Sequence, residues 1–179
     1  MAATNEGVLQ MADEALGLTG IVLAGGRSSR MGRDKATMEL VGLMLIERVV
    51  AVLDSFVQQV VVVRAPGQSF PLLSVSGSLT VVEDPVEGQG PLVGMAVGLA
   101  AAESRVSIVV GVDHPFLQPD LLRLLASRVT PVDRWVLPVA EGRPQPLCSA
   151  FASDAASVLQ AHVDRGDRAP MAVAPELGL

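Results

Sequence analysis

The chain has no tyrosine and one tryptophan, Trp135, and aromatic residues make up 3% of its 179 residues. So sparse a set excludes an aromatic platform for stacking single-stranded nucleic acid. Cysteine is equally scarce, with Cys148 alone. A lone cysteine forms no internal disulfide, and no Cys/His spacing suggests a zinc site. Cys148 lies in an apolar run and reads as a buried small residue. No run of about 18 apolar residues occurs, so no membrane-spanning helix is expected. No basic amphipathic face is present to lie on a membrane. The formal net charge of -6 disfavours nonspecific nucleic-acid binding. Residues 1–18 carry Glu6, Asp13 and Glu14 without a long apolar stretch, which argues against a signal peptide. They read as an N-terminal extension before a domain over 19–179, and the cytoplasm is the expected compartment.

Half of the residues are hydrophobic and 18% are charged, the profile of one compact domain with a real core. Ile21–Ala24, Val60–Val63, Leu79–Val82 and Val106–Val112 are short, mostly β-branched runs and read as buried strands. Trp135–Val139 and Leu147–Phe151 read as two more. Helical spacing predicts helices over Leu43–Phe56, Leu92–Ala102 and Pro119 to about Arg128, with a last helix capped by Ser153 or Asp154 and ending near Val163. Alternating strands and helices predict an α/β fold whose mostly parallel sheet carries helices on both faces. Such sheets bind ligands beyond the carboxyl ends of their strands. The loop at 25–35, Asp84 and Asp113 all fall there, which argues for one site.

That loop holds the chain's most concentrated positive charge. Residues 23–35 read LAGGRSSRMGRDK, and Lys35 is the only lysine. Gly25 and Gly26 suggest a backbone that turns with positive φ and approaches a ligand closely. Backbone N–H groups in such a loop cradle phosphate oxygens. Arg30 and Arg33 add fork-shaped donors, and Lys35 adds a compact charge. Each charge-assisted bond contributes about 1.5–3 kcal/mol, and together they suit a triphosphate. The spacing fits neither a Walker A loop nor a GxGxxG fingerprint. A solvated surface turn is the plainer reading, but it has no use for paired glycines and the sole lysine.

The segment resembles the signature of the MobA-like nucleotidyltransferases, the molybdenum cofactor guanylyltransferase family. Glu83-Asp84-Pro85 with Gly90-Pro91-Leu92-Val93-Gly94, Val112-Asp113-His114-Pro115-Phe116-Leu117 and Gly142-Arg143-Pro144-Gln145-Pro146-Leu147 follow in the family's order. The similarity covers roughly residues 19–168. It implies a three-layer, Rossmann-like nucleotidyltransferase fold of the GT-A type. It implies transfer of GMP from Mg-GTP to the terminal phosphate of molybdopterin, releasing pyrophosphate. Leu23, Ala24 and Gly25 would line the nucleotide site, Gly90 would shape the base pocket and Asp84 would lie in the nucleotide pocket. Lys35 would contact the phosphates and Asp113 would bind Mg2+. The pair Gly25-Gly26 favours the guanylyl branch, since relatives that use CTP usually read LAAG.

Attack by one phosphate on another joins two anions, so positioning and charge neutralisation carry the catalysis. Lys35 and Arg30 would stabilise the triphosphate and the departing pyrophosphate, and Asp113 would serve as a hard-metal ligand. Structural readings stand beside these. Asp113 could cap the helix after Pro119, and Asp84 could be an Asx-turn residue. Arg64, Arg143, Asp167 and Arg168 could face ligand or solvent. His114 and His162 read as structural or exposed.

Two departures from the family carry expectations. Gly42 is followed by Leu43-Met44 where a basic or small residue and then proline are usual. Members usually continue past the match to Gly166-Asp167-Arg168 with a strand and an asparagine-rich segment, whereas Asn5 is the only asparagine here. A shortened end is therefore expected to lack a second metal ligand and part of the acceptor pocket, or to borrow them from a cofactor-delivery partner. The alternatives are a nucleotidyltransferase for another nucleotide and acceptor, or a GTP-binding module without turnover.

Overall fold

A computed structural model describes residues 17–25, 34–85 and 88–179. Chain order begins with β1 (Leu18–Leu23), a hairpin of β2 (Glu39–Leu40) and β3 (Leu43–Met44), and α1 (Leu45–Asp54). Next come β4 (Gln59–Arg64), β5 (Ser78–Glu83), α2 (Pro91–Ala100), β6 (Val106–Gly111) and α3 (Pro119–Ser127). Then follow β7 (Trp135–Val136), a hairpin of β8 (Val139–Ala140) and β9 (Arg143–Pro144), β10 (Cys148–Ala152) and α4 (Ala155–Asp164). A 3-10 helix, Pro170–Glu176, ends the series.

The main sheet has the order β5-β4-β1-β6-β10-β7. β5, β4, β1 and β6 are parallel, and β10 runs antiparallel to both of its neighbours. The pleat divides the core in two. Val22, Val60, Val62, Ile108 and Val110 face one side, where Ile46, Val49, Val50 and Leu53 of α1 and Leu122 of α3 cover them. Those four α1 residues recur at i, i+3, i+4 and i+7, one stripe of a helix. Ile21, Val61, Val63 and Val109 face the other side, covered by α2 and α4. The result is the expected three-layer α/β arrangement.

Gly98 of α2 shows how tightly the second layer sits. A Cβ there would fall 2.5 Å from Cγ2 of the fully buried Ile21 and 3.1 Å from Cγ2 of Val63. Gly98→Ala should therefore push α2 off the sheet. The expected loss is about 1–3 kcal/mol, read as a lower urea midpoint at unchanged slope. An unshifted midpoint would mean the layers have slack.

Several predicted bounds need correction. The helix expected from Leu43 starts at Leu45, because Leu43 and Met44 pair with Leu40 and Glu39. Val41 and Gly42 both have positive φ, which makes a two-residue turn of the primed kind. Glu47 Oε2 accepts the Met44 N–H at 2.7 Å, so the helix begins where that bond closes. The strand expected over Trp135–Val139 leaves the main sheet after Val136. β7 is the edge strand of the sheet, and past Pro138, which has no N–H to donate, Val139–Ala140 pairs instead with Arg143–Pro144 around Glu141-Gly142. Asp154 occupies the N-cap of α4, but its side chain makes no capping bond. The 3-10 helix has no counterpart among the predicted elements. It buries Val173, followed by Leu177, in the second core. His162 holds it down, with Nδ1 2.7 Å from Asp167 Oδ2 and Nε2 3.0 Å from Glu176 Oε1. No helix among the described residues is long and apolar enough to cross a membrane.

Candidate active site

The carboxyl ends of β1, β4, β5 and β6 share one edge of the sheet and open on a cavity of about 530 Å³. That size suits a small-molecule ligand. Leu23, Ala24 and Gly25 line it from the end of β1. Lys35 and Asp113 line it too, and Asp84 and Gly90 stand on the β5–α2 side. Three other residues predicted for the site, Gly26, Arg30 and Arg33, lie outside the described residues.

Asp113 is the electrostatic centre. Its Oδ2 lies 3.1 Å from Lys35 Nζ and its Oδ1 lies 3.3 Å from His114 Nδ1. His114 Nδ1 is also 3.3 Å from the Gly111 carbonyl oxygen. Two acceptors around one nitrogen require Nδ1 to carry the proton. The hydrogen bond from His114 holds the Asp113 carboxyl well below the usual carboxylate range. Burial opposes that shift, and the Lys35 hydrogen bond and charge reinforce it. The same bond to Asp113 raises the His114 imidazole above its ordinary value, against burial. His114 therefore stands part-exposed beside Asp113 and is bonded to its carboxylate. Gly111 makes the arrangement possible, since a Cβ there would meet Asp113 Oδ1 at 2.7 Å. The glycine inside the apolar strand was the sequence signal for this close approach.

Gly25 corrects a sequence-based expectation. It is absent from the glycines with positive φ. Its N–H donates to the Val63 carbonyl at 3.1 Å, so that group is not turned toward the cavity. A Cβ at Gly25 would meet the Ala65 nitrogen at 3.0 Å, so close backbone packing is what demands glycine. On the far wall, Gly90 has φ 96° and a Cβ there would lie 2.9 Å from the Arg168 carbonyl oxygen. The chain after α4 thereby forms the backing of the Gly90 turn. Asp84 is held by its N–H on the Arg64 carbonyl at 2.8 Å. The Arg64 guanidinium pairs with Glu83 at 2.7 Å, and Asp167 is engaged by His162. Arg64, Arg143, Asp167 and Arg168 stand outside the cavity lining. Gly111 and Ala65 line it and were not singled out from sequence, and Leu147, named only as the end of a motif, lines it as well.

Among the described residues, no three His, Cys, Asp or Glu side chains gather as a preformed metal cage. The donor set on the cavity is Asp113 with Asp84. That chemistry fits a hard divalent cation, which keeps waters and takes further oxygens from substrate phosphates.

A sequence profile described as the MobA-like NTP transferase domain matches residues 20–177. A Mycobacterium tuberculosis protein named "Probable molybdenum cofactor guanylyltransferase" is 39% identical over 164 residues, covering 89% of this chain and 80% of that one. The Mycobacterium avium protein of the same name is 39% identical over 168 residues, with coverages of 91% and 83%. Among solved structures, molybdopterin-guanine dinucleotide biosynthesis protein A from Archaeoglobus fulgidus superposes with a TM-score of 0.68 at 24% identity. It covers 86% of this chain and 77% of that one. A Mycobacterium tuberculosis protein solved in complex with manganese superposes at TM-score 0.58 with 18% identity, covering 84% and 81%. Both superpositions speak for the fold.

Proposed function

Because this chain belongs to the MobA-like NTP transferase family, we propose that it is a molybdenum cofactor guanylyltransferase, transferring GMP from Mg-GTP to the terminal phosphate of molybdopterin. The observation that carries the reading is the pairing of the sole lysine with Asp113 at 3.1 Å in a cavity at the sheet's carboxyl edge. An enzyme of this kind needs one cation for phosphate oxygens and one carboxylate for metal in the same place.

In the reaction an oxygen of the acceptor phosphate bonds to the α-phosphorus of GTP. The bond from that phosphorus to the bridging oxygen breaks, and pyrophosphate leaves with the electron pair. The attacking phosphate is already ionised, so no general base is required. Lys35 would release Asp113 and bind triphosphate oxygens, which carry more negative charge than one carboxylate. Arg30 is assigned the same duty on the departing pyrophosphate. Asp113, kept ionised by His114, would hold the divalent cation together with Asp84. The cation, Mg2+ in this proposal, neutralises charge on the phosphates when bound. Leu23, Ala24 and Gly25 would line the nucleotide site, and Gly26 and Gly90 would offer it close backbone.

Calorimetric titration with GTP, CTP and ATP, each with magnesium, tests the reading. Selective GTP binding is expected, followed by pyrophosphate release once molybdopterin is supplied. Release with CTP or with another phosphorylated acceptor would redirect the proposal, and GTP binding without release under any acceptor would replace it with a binding module.

A further inference from the structure

Gln68 stands outside the cavity lining, yet its carboxamide reaches three segments that build the cavity's edge. Nε2 donates to the Ala24 carbonyl at 3.1 Å and to Asp34 Oδ2 at 2.7 Å. Oε1 accepts the Ala65 N–H at 2.8 Å. All three groups are thus used in the orientation their chemistry requires. A flipped amide would set its oxygen against a carbonyl and a carboxylate and its NH2 against an N–H. We propose that Gln68 is a positioning residue for nucleotide phosphates, tying the start of the glycine loop at Ala24 to its end at Asp34 and so setting where Lys35 stands. The proposal rests on the guanylyltransferase reading.

The chain delivers Gln68 to this spot by a tight turn. Its N–H bonds the Ala65 carbonyl at 3.0 Å. Between them stand Pro66 and Gly67, whose φ of 69° suits the third position of a type II turn. The Arg64 guanidinium secures the same turn by donating to the Gln68 carbonyl at 3.1 Å. Holding the turn would need only the Ala65 bond. The two Nε2 bonds reach residues 44 and 34 positions away, and one of them meets a charged acceptor. Bonds to charged groups are about twice as strong as neutral ones.

Asp34 passes this restraint on. Its other oxygen, Oδ1, accepts the Ala36 N–H at 2.9 Å, and Thr37 Oγ1 donates to its carbonyl at 3.2 Å. These bonds stay inside residues 34–37. The Ala36 carbonyl accepts the Ile46 N–H at 3.2 Å, which fixes the segment on α1. Gln68 supplies the tie toward β1 and β4. Lys35 lies between the two anchors, with its Nζ 3.1 Å from Asp113. Without the Gln68 tie, the bonds of residues 34–37 that remain among the described residues, apart from the Lys35–Asp113 pair, are local or run to α1, and the lysine's ammonium loses a restraint on its height above the strand ends.

The test compares the parent chain with Gln68→Met, which keeps the length but donates nothing, and with Gln68→Glu, which sets a carboxylate against Asp34. Mg-GTP titration and steady-state kinetics are read beside thermal melts. Gln68→Met should raise the Kd and KM for Mg-GTP about tenfold while kcat changes less than about threefold, the pattern of lost uniform binding. Gln68→Glu should lose more. In an Asp34→Ala background, Gln68→Met should cost less than about threefold, because the tie is already gone. If Gln68→Met fails to fold, Gln68→Glu carries the comparison. A variant that melts lower but binds Mg-GTP like the parent would overturn the inference and leave the function standing, as would additive effects with Asp34→Ala. A parent chain that binds no nucleotide would overturn the function and the inference with it.

Discussion

Replacing Asp113 by asparagine is expected to lower turnover about 10²–10³-fold, the usual scale for removing one transition-state electrostatic contact, and to abolish the ordinary magnesium dependence. The substitution keeps shape and removes charge. Asp113 accepts from Lys35 at 3.1 Å and from His114 at 3.3 Å; the asparagine oxygen can keep one of these donors while its NH2 faces the other, so one contact is kept and one is lost. Stability should hardly move. The folded carboxyl is depressed, so its contribution is present above the ordinary carboxylate range and is lost as pH falls through the folded value. The asparagine variant forgoes that contribution at neutral pH. The side chain is 45% exposed, however, and solvent screens such pairs to about 1 kcal/mol or less. A second sign separates metal binding from mere structure. With chelator present, free GTP should bind the variant at least as well as the parent, because a negative group has left the phosphate site. Equal turnover and unchanged magnesium dependence would remove Asp113 from the metal site.

Lys35→Ala should weaken GTP both with and without magnesium, by about 10–150-fold, the equivalent of one charge-assisted bond of 1.5–3 kcal/mol. The lysine is 40% exposed, so the melting temperature should stay within a few degrees. Lys35→Arg should restore only part of the affinity, since a planar fork replaces a compact charge. The sequence supplies a convenient check. With one lysine in the chain, side-chain amine labelling reports a single residue, and saturating Mg-GTP should slow it. Unprotected labelling at full occupancy would place the triphosphate elsewhere. The two variants thus differ in sign without metal: Asp113→Asn gains affinity or keeps it, whereas Lys35→Ala loses it.

Much of this site was legible because it lies at strand ends. The valine run Val60–Val63 and the run Val106–Val112 announce buried parallel strands, and Asp84 and Asp113 follow such runs directly. Lys35 was conspicuous by being alone. What escaped depends on partners far away in sequence. Gln68 looks like an ordinary turn residue until Ala24 and Asp34 are brought beside it, at separations of 44 and 34 residues. The bond from His114 to Asp113 was not read from the sequence, although Gly111 marks the place, because it forms only when the strand end curls over that glycine. The Val41-Gly42 turn was unreadable because valine with φ of 51° is against its own preference. The 3-10 helix carries prolines and is flanked by Gly166 and Gly178, so its local pattern reads as punctuation. Its burial comes from Val173 meeting a core already made.

The near-absence of aromatics makes the chain its own spectroscopic probe. All intrinsic tryptophan emission comes from Trp135, which is 1% exposed and stacked on Phe151 with ring centroids 5.2 Å apart. No tyrosine overlaps it. Trp135 shares its core cluster with Val173 and Leu177, the two anchors of the C-terminal turn. That same end of the chain supplies the Arg168 carbonyl behind Gly90. Light collected from one indole therefore reports on how firmly the last dozen residues are seated, and through them on the wall that a nucleotide base would lean against.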